Sequence, residues 1–247
     1  MRSTWIGSWL AAVLLLAAPG SAGAQEALTP EQKQAVEGIV RDYLLSNPEI
    51  VRDALIELQR RQEERNQVAR QDAIGELHDY VATLPPDFTK GDSKAETPVI
   101  EFFDYRCPYC KSVAARIDRV VEEDKGVRIV LIEFPILGED SVFASRAAIA
   151  SRAQGKYMEF HNALMSHRGN LDQQSTLKVA KDIGIDVEKL KADMEAPEVE
   201  ALIRRHHEFA EKLGVTGTPA FVIGQEMVPG AIDIDTLRAK IERARQS

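Results

Sequence analysis

The stretch Val99–Ile117, VIEFFDYRCPYCKSVAARI, holds the only two cysteines of the 247-residue chain, Cys107 and Cys110. A near-continuous apolar run precedes them, and such a run is typical of a strand that is covered on both faces of a sheet. After Pro108, apolar residues recur at helical spacing. The stretch therefore predicts a buried strand, a tight turn and a helix that begins at the cysteine pair.

The position of this pair at a helix N-terminus gives the two thiols different roles. Only the thiolate form of a cysteine attacks another sulfur, and the positive end of a helix dipole favours that form at Cys107. Pro108 suits the first turn, where its missing N–H is not needed. Cys110 lies one turn deeper in the helix. We expect a redox pair in which Cys107 attacks and Cys110 resolves, with no cofactor beyond their own disulfide.

Metal binding is the main alternative use of two thiols. A structural zinc site wants four ligands, commonly two such pairs or one pair with two closely spaced histidines. The chain has no second pair, so we expect no metal site, although Cu(I) prefers soft thiolates and could bind the reduced pair. We expect His206 and His207 on a solvated helix face and His161 in a core. The five histidines are His78, His161, His167, His206 and His207.

The first 24 residues have the layout of a secretory signal, with Arg2, an apolar run over residues 6–18 and small residues up to Ala24. That run is shorter than the roughly 20 residues of a spanning helix, and no later segment looks membrane-spanning. Cleavage removes Arg2 alone from the 31 basic residues, which leaves 30 against 39 acidic ones and a net charge of −9. This acidity argues against a nucleic-acid partner. We expect a periplasmic protein, in a compartment where disulfides persist.

Residues 25–84 read as helix only. The first helix start is indicated by an N-cap, a first-turn proline and a capping-box partner at Thr29, Pro30 and Gln32. Asn47 and Pro48 indicate the start of a second helix. Each helix carries an apolar stripe, and a polar stretch, QRRQEERNQ, follows at residues 59–67. Self-association through residues 25–70 would cover these stripes, so we expect a homo-oligomer. The alternative is that the stripes pack on the rest of the same chain.

Residues 85–247 read as one α/β domain. A loop-rich boundary from Leu84 to Thr97 precedes the strand Pro98–Asp104, the helix to Glu123 and a second strand, Val127–Phe134. Every segment from about residue 140 to 213 is helical in period, and two short strands with a last helix close the chain. The first two strands should be parallel, joined by a right-handed crossover.

Four motifs make this domain resemble the DsbA-like branch of the thioredoxin superfamily: EFFDYRCPYC at residues 101–110, EFPILGEDS at 133–141, GKYMEFHNAL with GNLD between 155 and 172, and GVTGTPAFVIG at 214–224. The helical N-terminal extension makes the whole most similar to the periplasmic suppressor-of-copper-sensitivity C proteins. The resemblance implies a thioredoxin fold with an inserted all-helical domain. It also implies a cis peptide at Thr218–Pro219 that faces the cysteines and binds an extended substrate segment.

The resemblance also implies roles for single residues. Glu101 is an acid in the strand beneath the disulfide; if it is buried, it could relay the proton of Cys110, whereas the alternative is an acid that reaches water. For Glu133 we prefer the second interpretation. Pro108 and Tyr109 tune the redox poise, and Tyr109 replaces the histidine of the most oxidising members.

The function we expect is a periplasmic thiol–disulfide oxidoreductase and disulfide isomerase that acts on cysteine-containing secreted proteins. A membrane thiol–disulfide protein would be its redox partner. One alternative is a DsbA-type disulfide donor. The other is a copper-binding or client-holding protein that uses the same cysteine pair.

Overall fold

The computed structural model describes residues 28–95 and 98–246. The expected signal peptide lies outside these residues. The described chain divides into two compact units, the first ending at Gln59 and the second beginning at Arg60.

The first unit is helical, as the sequence predicts. Helix α1 spans Pro30–Ser46 and α2 spans Pro48–Thr83, so that α2 continues beyond the boundary of the unit. At the start of α1, Thr29 and Gln32 form the expected reciprocal capping box. No residue of α1 is buried. The unit exposes a large set of apolar side chains: Leu28, Val36, Ile39, Val40, Tyr43, Leu44, Leu45, Ile50, Val51, Leu55, Ile56 and Leu58.

The second unit is built on a mixed sheet. Within the described residues the sheet has five strands in the order β1-β3-β2-β4-β5. Strands β2 and β3 are parallel and the other pairings are antiparallel. The parallel pair flanks α3, as predicted. The elements are β1 Thr89–Gly91, β2 Pro98–Phe103, α3 Pro108–Glu123, β3 Arg128–Glu133, α4 Glu139–Ala150, α5 Tyr157–Ser166, α6 Gln173–Asp182, α7 Val187–Asp193, α8 Pro197–Leu213, β4 Ala220–Ile223, β5 Glu226–Pro229 and α9 Ile234–Arg245.

Strand β1 corrects the prediction of a loop-rich boundary. After a short 3₁₀ turn at Pro86–Phe88, β1 forms an edge strand of the sheet and pairs antiparallel with β3, with Thr89 opposite Val130. Three residues, Thr-Lys-Gly, are too few to show an alternating apolar pattern. The strand ends at Gly91, whose φ of 88° suits glycine.

Two apolar layers cover the sheet. One contains α3, α9 and the helical insert from α4 to the start of α8, and side chains such as Val99, Phe103 and Leu131 point into it. The opposite layer contains Ile100, Phe102, the end of α2 with Leu77 and the end of α8 with Phe209. This arrangement confirms a thioredoxin-type α/β fold with an inserted helical domain. In the described ranges we find no helix with the length and apolar character that crossing a membrane demands.

Candidate active site

Cys107 is the N-cap residue of α3, and Pro108 is the first residue of the helix, as predicted. The backbone N–H of Cys107 donates to the Asp104 carbonyl at 3.1 Å, and its own carbonyl accepts from the Lys111 N–H at 3.1 Å. Both cysteines are free thiols. Cys107 keeps 4% of its surface exposed and Cys110 none. Of the two residues, only Cys107 retains surface that solvent can contact.

Burial sets the protonation of the inner thiol. Desolvation raises the pKa of Cys110 well above its ordinary value, and the charges of Glu101 and Cys107 raise it further. Hydrogen bonds involving the Asp104 backbone and the Thr218 side chain act in the opposite direction but are weaker. Cys110 is therefore a protonated thiol at neutral pH.

The turn before Cys107 is held by a buried carboxylate, that of Asp104. Among the described residues it accepts from the N–H groups of Arg106 at 2.7 Å, Ile136 at 2.9 Å and Leu137 at 3.1 Å, and from the Ser141 hydroxyl at 2.9 Å. Asp104 thereby ties the active-site turn to the start of the helical insert. Our sequence reasoning missed this residue, although a charged residue directly between a buried strand and the cysteine turn was a usable signal.

Thr218 and Pro219 lie against the cysteines and are joined by a cis peptide bond, as the resemblance implied. The Cys107 thiol donates to the Thr218 carbonyl over a sulfur–oxygen distance of 3.2 Å. Pro219 is buried, and its carbonyl accepts from the Gly230 N–H at 2.8 Å. Strand β4 begins directly after this turn, so the sheet fixes the Thr218 carbonyl beside the Cys107 sulfur.

Glu101 lies within β2 and is 2% exposed, so the interpretation of an acid that reaches water is wrong. Its Oε1 atom has no hydrogen-bond partner among the described residues. Burial raises the pKa of Glu101 to about 8, while the nearby Lys90 opposes this shift and Asp118 supports it. Lys90 is itself buried and donates to Asp118 at 2.7 Å. Glu101 is thus mostly protonated at neutral pH and lies close enough to Cys110 to influence its charge.

Glu133 corrects our preference for a solvated acid. It is fully buried at the end of β3. In the described structure three hydroxyls donate to it: Tyr105 and Tyr157 at 2.9 Å each, and Ser145 at 2.7 Å. Burial raises the pKa of Glu133 to about 8, against the lowering effect of these bonds. Tyr105 also contacts the ring of His161 at 3.2 Å, which confirms His161 as a core residue.

His206 also differs from its prediction, because it is fully buried instead of solvated. Its Nδ1 lies 3.1 Å from the Glu133 carbonyl, and burial lowers the pKa of His206 to about 3. His207 is half-buried against Phe134. Over residues 28–95 and 98–246, no group of three or more His, Cys, Asp or Glu side chains is arranged to hold a metal ion.

Tyr109 lies between the cysteines and is 65% exposed. Its carbonyl accepts from the Ser112 hydroxyl at 2.8 Å, within the first turn of α3. The Tyr109 ring is therefore presented to solvent.

Comparison with known proteins agrees with this geometry. Residues 98–242 match the DSBA-like thioredoxin domain, and residues 32–65 match the copper resistance protein ScsC N-terminal domain. A thioredoxin-like oxidoreductase from Silicibacter pomeroyi DSS-3 is 42% identical, with a TM-score of 0.63, over 67% of this chain and 99% of that one. A Proteus mirabilis ScsC mutant with a linker deletion is 27% identical, with a TM-score of 0.66, over 90% and 99%.

Among curated sequences, the chain is 25% identical to the Na⁺/H⁺ antiporter NhaA 3 of Salinispora tropica over 170 residues, which cover 67% of this chain. The chain spans 26% of the length of that antiporter. With its cysteine pair at the start of α3 and its family match over more than half its length, the chain belongs to the DsbA-like family of thiol–disulfide oxidoreductases.

Proposed function

We propose that the protein is a periplasmic thiol–disulfide oxidoreductase that rearranges disulfides in secreted, cysteine-containing proteins. The observation that carries this proposal is the asymmetry of the pair. Cys107 keeps 4% of its surface exposed and lies beside the Thr218 carbonyl, whereas Cys110 is fully buried with a raised pKa. An accessible attacking sulfur and a protected resolving sulfur are what disulfide exchange requires.

In the reductive direction, the Cys107 thiolate attacks one sulfur of a substrate disulfide. The substrate S–S bond breaks, a mixed disulfide forms, and the departing substrate thiolate takes up a proton from water. Cys110 then loses its proton and attacks the Cys107 sulfur, which releases the second substrate thiolate and leaves a Cys107–Cys110 disulfide. Donor activity is the reverse of these steps. In rearrangement a substrate thiolate, instead of Cys110, resolves the mixed disulfide, so that no net electrons are transferred.

Five further residues assist these steps. The ionised form of Glu101, the minor form at neutral pH, accepts the proton of Cys110; the burial of Glu101 and the effect of its charge on that thiol support this role. Once Cys107 is in a mixed disulfide, its sulfur no longer donates a hydrogen bond to the Thr218 carbonyl. The backbone of Thr218 then pairs with an extended substrate segment as an added strand. Pro219 holds this backbone in place, while Pro108 and Tyr109 tune the redox poise.

Rearrangement is favoured over plain oxidation when several sites face one another. The exposed apolar side chains of the first unit, such as Ile39 at 69% and Leu45 at 74%, support a homo-oligomer formed through residues 25–70. Such an assembly would hold a misfolded client near more than one cysteine pair. A membrane thiol–disulfide protein would reset the pair to its working redox state.

Refolding of a scrambled disulfide-containing protein tests the proposal. The full chain should restore client activity, and a variant lacking residues 25–70 should lose most of this rescue while it still reduces a simple disulfide. That truncation keeps the buried residues Ala73, Ile74, Leu77 and Val81 of α2. Ile39→Lys should act like the truncation and its neighbour Glu37→Lys should not. If the truncated protein rearranges disulfides as well as the full chain, the oligomer argument is wrong; if donor activity exceeds rearrangement, the protein is an oxidase.

A further inference from the structure

A cavity of about 480 Å³ opens next to the turn that carries Cys107, although Cys107 itself does not line it. Arg106 and Pro108, the two neighbours of Cys107 in sequence, lie in its wall, and the loop after α5 closes the other side. Thr218 and Pro219 are not among its lining residues. The cavity is therefore separate from the backbone that would pair with a substrate. Its polar lining residues are Arg106, Lys111, His167, Arg168 and Asn170.

The cationic groups of this wall are held in place by carbonyl and amide oxygens. Arg106 donates to the Leu137 carbonyl at 2.9 Å and to Asn170 Oδ1 at 3.4 Å. Lys111 donates to the His167 carbonyl at 2.7 Å. Because these oxygens carry no net charge, the bonds orient the cations without neutralising them.

Few ion pairs neutralise the cations of this wall. In the described part of the chain, the one ion pair of these groups joins Arg106 to Asp140 at 3.8 Å. Arg168 is exposed and has no ion pair with a described residue. Burial without a counter-charge lowers the pKa of Lys111. The whole chain has a net charge of −8. The cationic wall near Cys107 therefore differs in sign from the charge of the chain as a whole.

We propose that this cavity binds a carboxylate side chain that flanks the reacting cysteine of the substrate, so that the protein prefers acidic substrate segments. A residue two positions from the substrate cysteine in an extended segment lies about 6.6 Å along the chain. This reach exceeds the roughly 3.8 Å between the Cα atoms of Cys107 and either sequence neighbour, so a substrate segment that runs toward the cavity can bring that residue to its wall. Guanidinium and ammonium groups bind carboxylates through charge-assisted hydrogen bonds. This specificity rests on the proposed function, since it requires a mixed disulfide at Cys107.

The test compares two peptide disulfides with the reduced full chain. One is the symmetric disulfide of Ac-Ser-Glu-Ala-Cys-Ala-Glu-Ser-NH₂, and the other has glutamine in place of both glutamates. Peptide thiol release is followed by chromatography, and each rate is divided by the rate with dithiothreitol, which corrects for the intrinsic reactivity of each peptide. We expect the acidic peptide to react about tenfold faster at low salt, equivalent to about 1.4 kcal/mol. The preference should fall toward one in 0.5 M salt, because exposed charges are screened.

The charge variants assign the preference to the cavity. Arg168→Gln and Lys111→Gln should each reduce the acidic-to-neutral rate ratio about threefold, and the double variant should bring it close to one. Arg204→Gln, an exposed arginine on α8 outside this cavity, should leave the ratio unchanged. Equal rates for the two peptides with the unmodified protein, or an unchanged ratio in the double variant, would overturn the inference. Failure to react with either peptide would instead contradict the proposed function.

Discussion

Replacing Glu101 with glutamine removes an ionisable group from the interior of the sheet while it keeps the side-chain shape. Glu101 is 2% exposed, and burial raises its pKa to about 8 from an ordinary value of 4.5. The folded protein therefore holds a proton that the unfolded chain has released over this pH range. The free energy of unfolding contributed by Glu101 is fully present below pH 4.5 and is lost as the pH rises toward 8.

The size of this loss follows from the pKa difference. One pKa unit corresponds to about 1.36 kcal/mol, so about 3 kcal/mol are lost between pH 4.5 and 7. Glu101→Gln does not have this pH-dependent term. Its amide leaves a buried polar group with poor partners, but that cost is the same at every pH. The difference in unfolding free energy between variant and wild type should therefore shift by about 3 kcal/mol in favour of glutamine from pH 4.5 to 7.

Guanidinium chloride unfolding of the reduced protein at several pH values between 4.5 and 8.5 measures this difference. Both tryptophans of the chain lie within the first 24 residues, the expected signal peptide, so tryptophan fluorescence does not report on unfolding of the cleaved protein. Circular dichroism is therefore the suitable signal. Glu122→Gln, at an exposed position on α3, is the matched control and should show no pH-dependent difference. In parallel, release of substrate from the Cys107 mixed disulfide should slow at least tenfold in Glu101→Gln, because general-base catalysis typically contributes roughly 10²–10⁴-fold.

A stability difference that stays constant across this pH range would refute the buried-acid reasoning, since the wild-type carboxyl would then titrate near its ordinary pKa. A normal rate of mixed-disulfide resolution, together with the expected stability effect, would leave Glu101 as a buried acid but remove its role as proton acceptor.

Two further predictions follow from the same site. Tyr157→Phe removes one hydrogen-bond donor to Glu133 and should lower the free energy of unfolding by about 1–2 kcal/mol, measured by denaturant unfolding. The control, Tyr109→Phe at an exposed position, should change the free energy of unfolding by less than about 0.5 kcal/mol. Equal losses would contradict the assignment of Glu133 as a buried acceptor. Limited iodoacetamide at pH 7 should label Cys107 at least tenfold more than Cys110 in the reduced protein, as peptide mapping would detect, because burial raises the pKa of Cys110; comparable labelling would argue against distinct attacking and resolving roles.

Local patterns in the sequence predicted the elements that carry the cysteines. The apolar run before Cys107 and the helical spacing after Pro108 depend on neighbouring residues, and β2 and α3 begin within a residue of the expected positions. The capping box at Thr29 was equally readable. The cis bond before Pro219 came from the family resemblance, because an isolated X–Pro bond is cis in only about 5–6% of cases.

The errors fall where burial is decided by distant parts of the chain. Glu133 lies at a strand end, where an acid commonly reaches water, but the insert supplies Tyr157 and Ser145 to cover it. The burial of His206 also depends on a distant part of the chain, because α8 packs this side chain against the Glu133 carbonyl at the end of β3. Strand β1 exists through its pairing with β3 and has no apolar pattern of its own. None of these partners is adjacent in sequence to the residue it buries.

The two buried acids of the sheet are alike in burial and pKa, yet their surroundings favour different roles. Glu101 lies opposite Leu131 and Glu133 lies opposite Phe103, so both point into the layer that contains α3 and the insert. Glu133 accepts from three hydroxyls in the described structure, and moving its proton would disturb all of those bonds. Glu101 has an oxygen without a partner among the described residues, and it is the acid whose charge raises the pKa of Cys110. A carboxyl that exchanges a proton needs a free oxygen more than it needs strong bonds. We therefore propose that Glu133 joins the insert to the sheet, whereas Glu101 serves as the proton acceptor of Cys110.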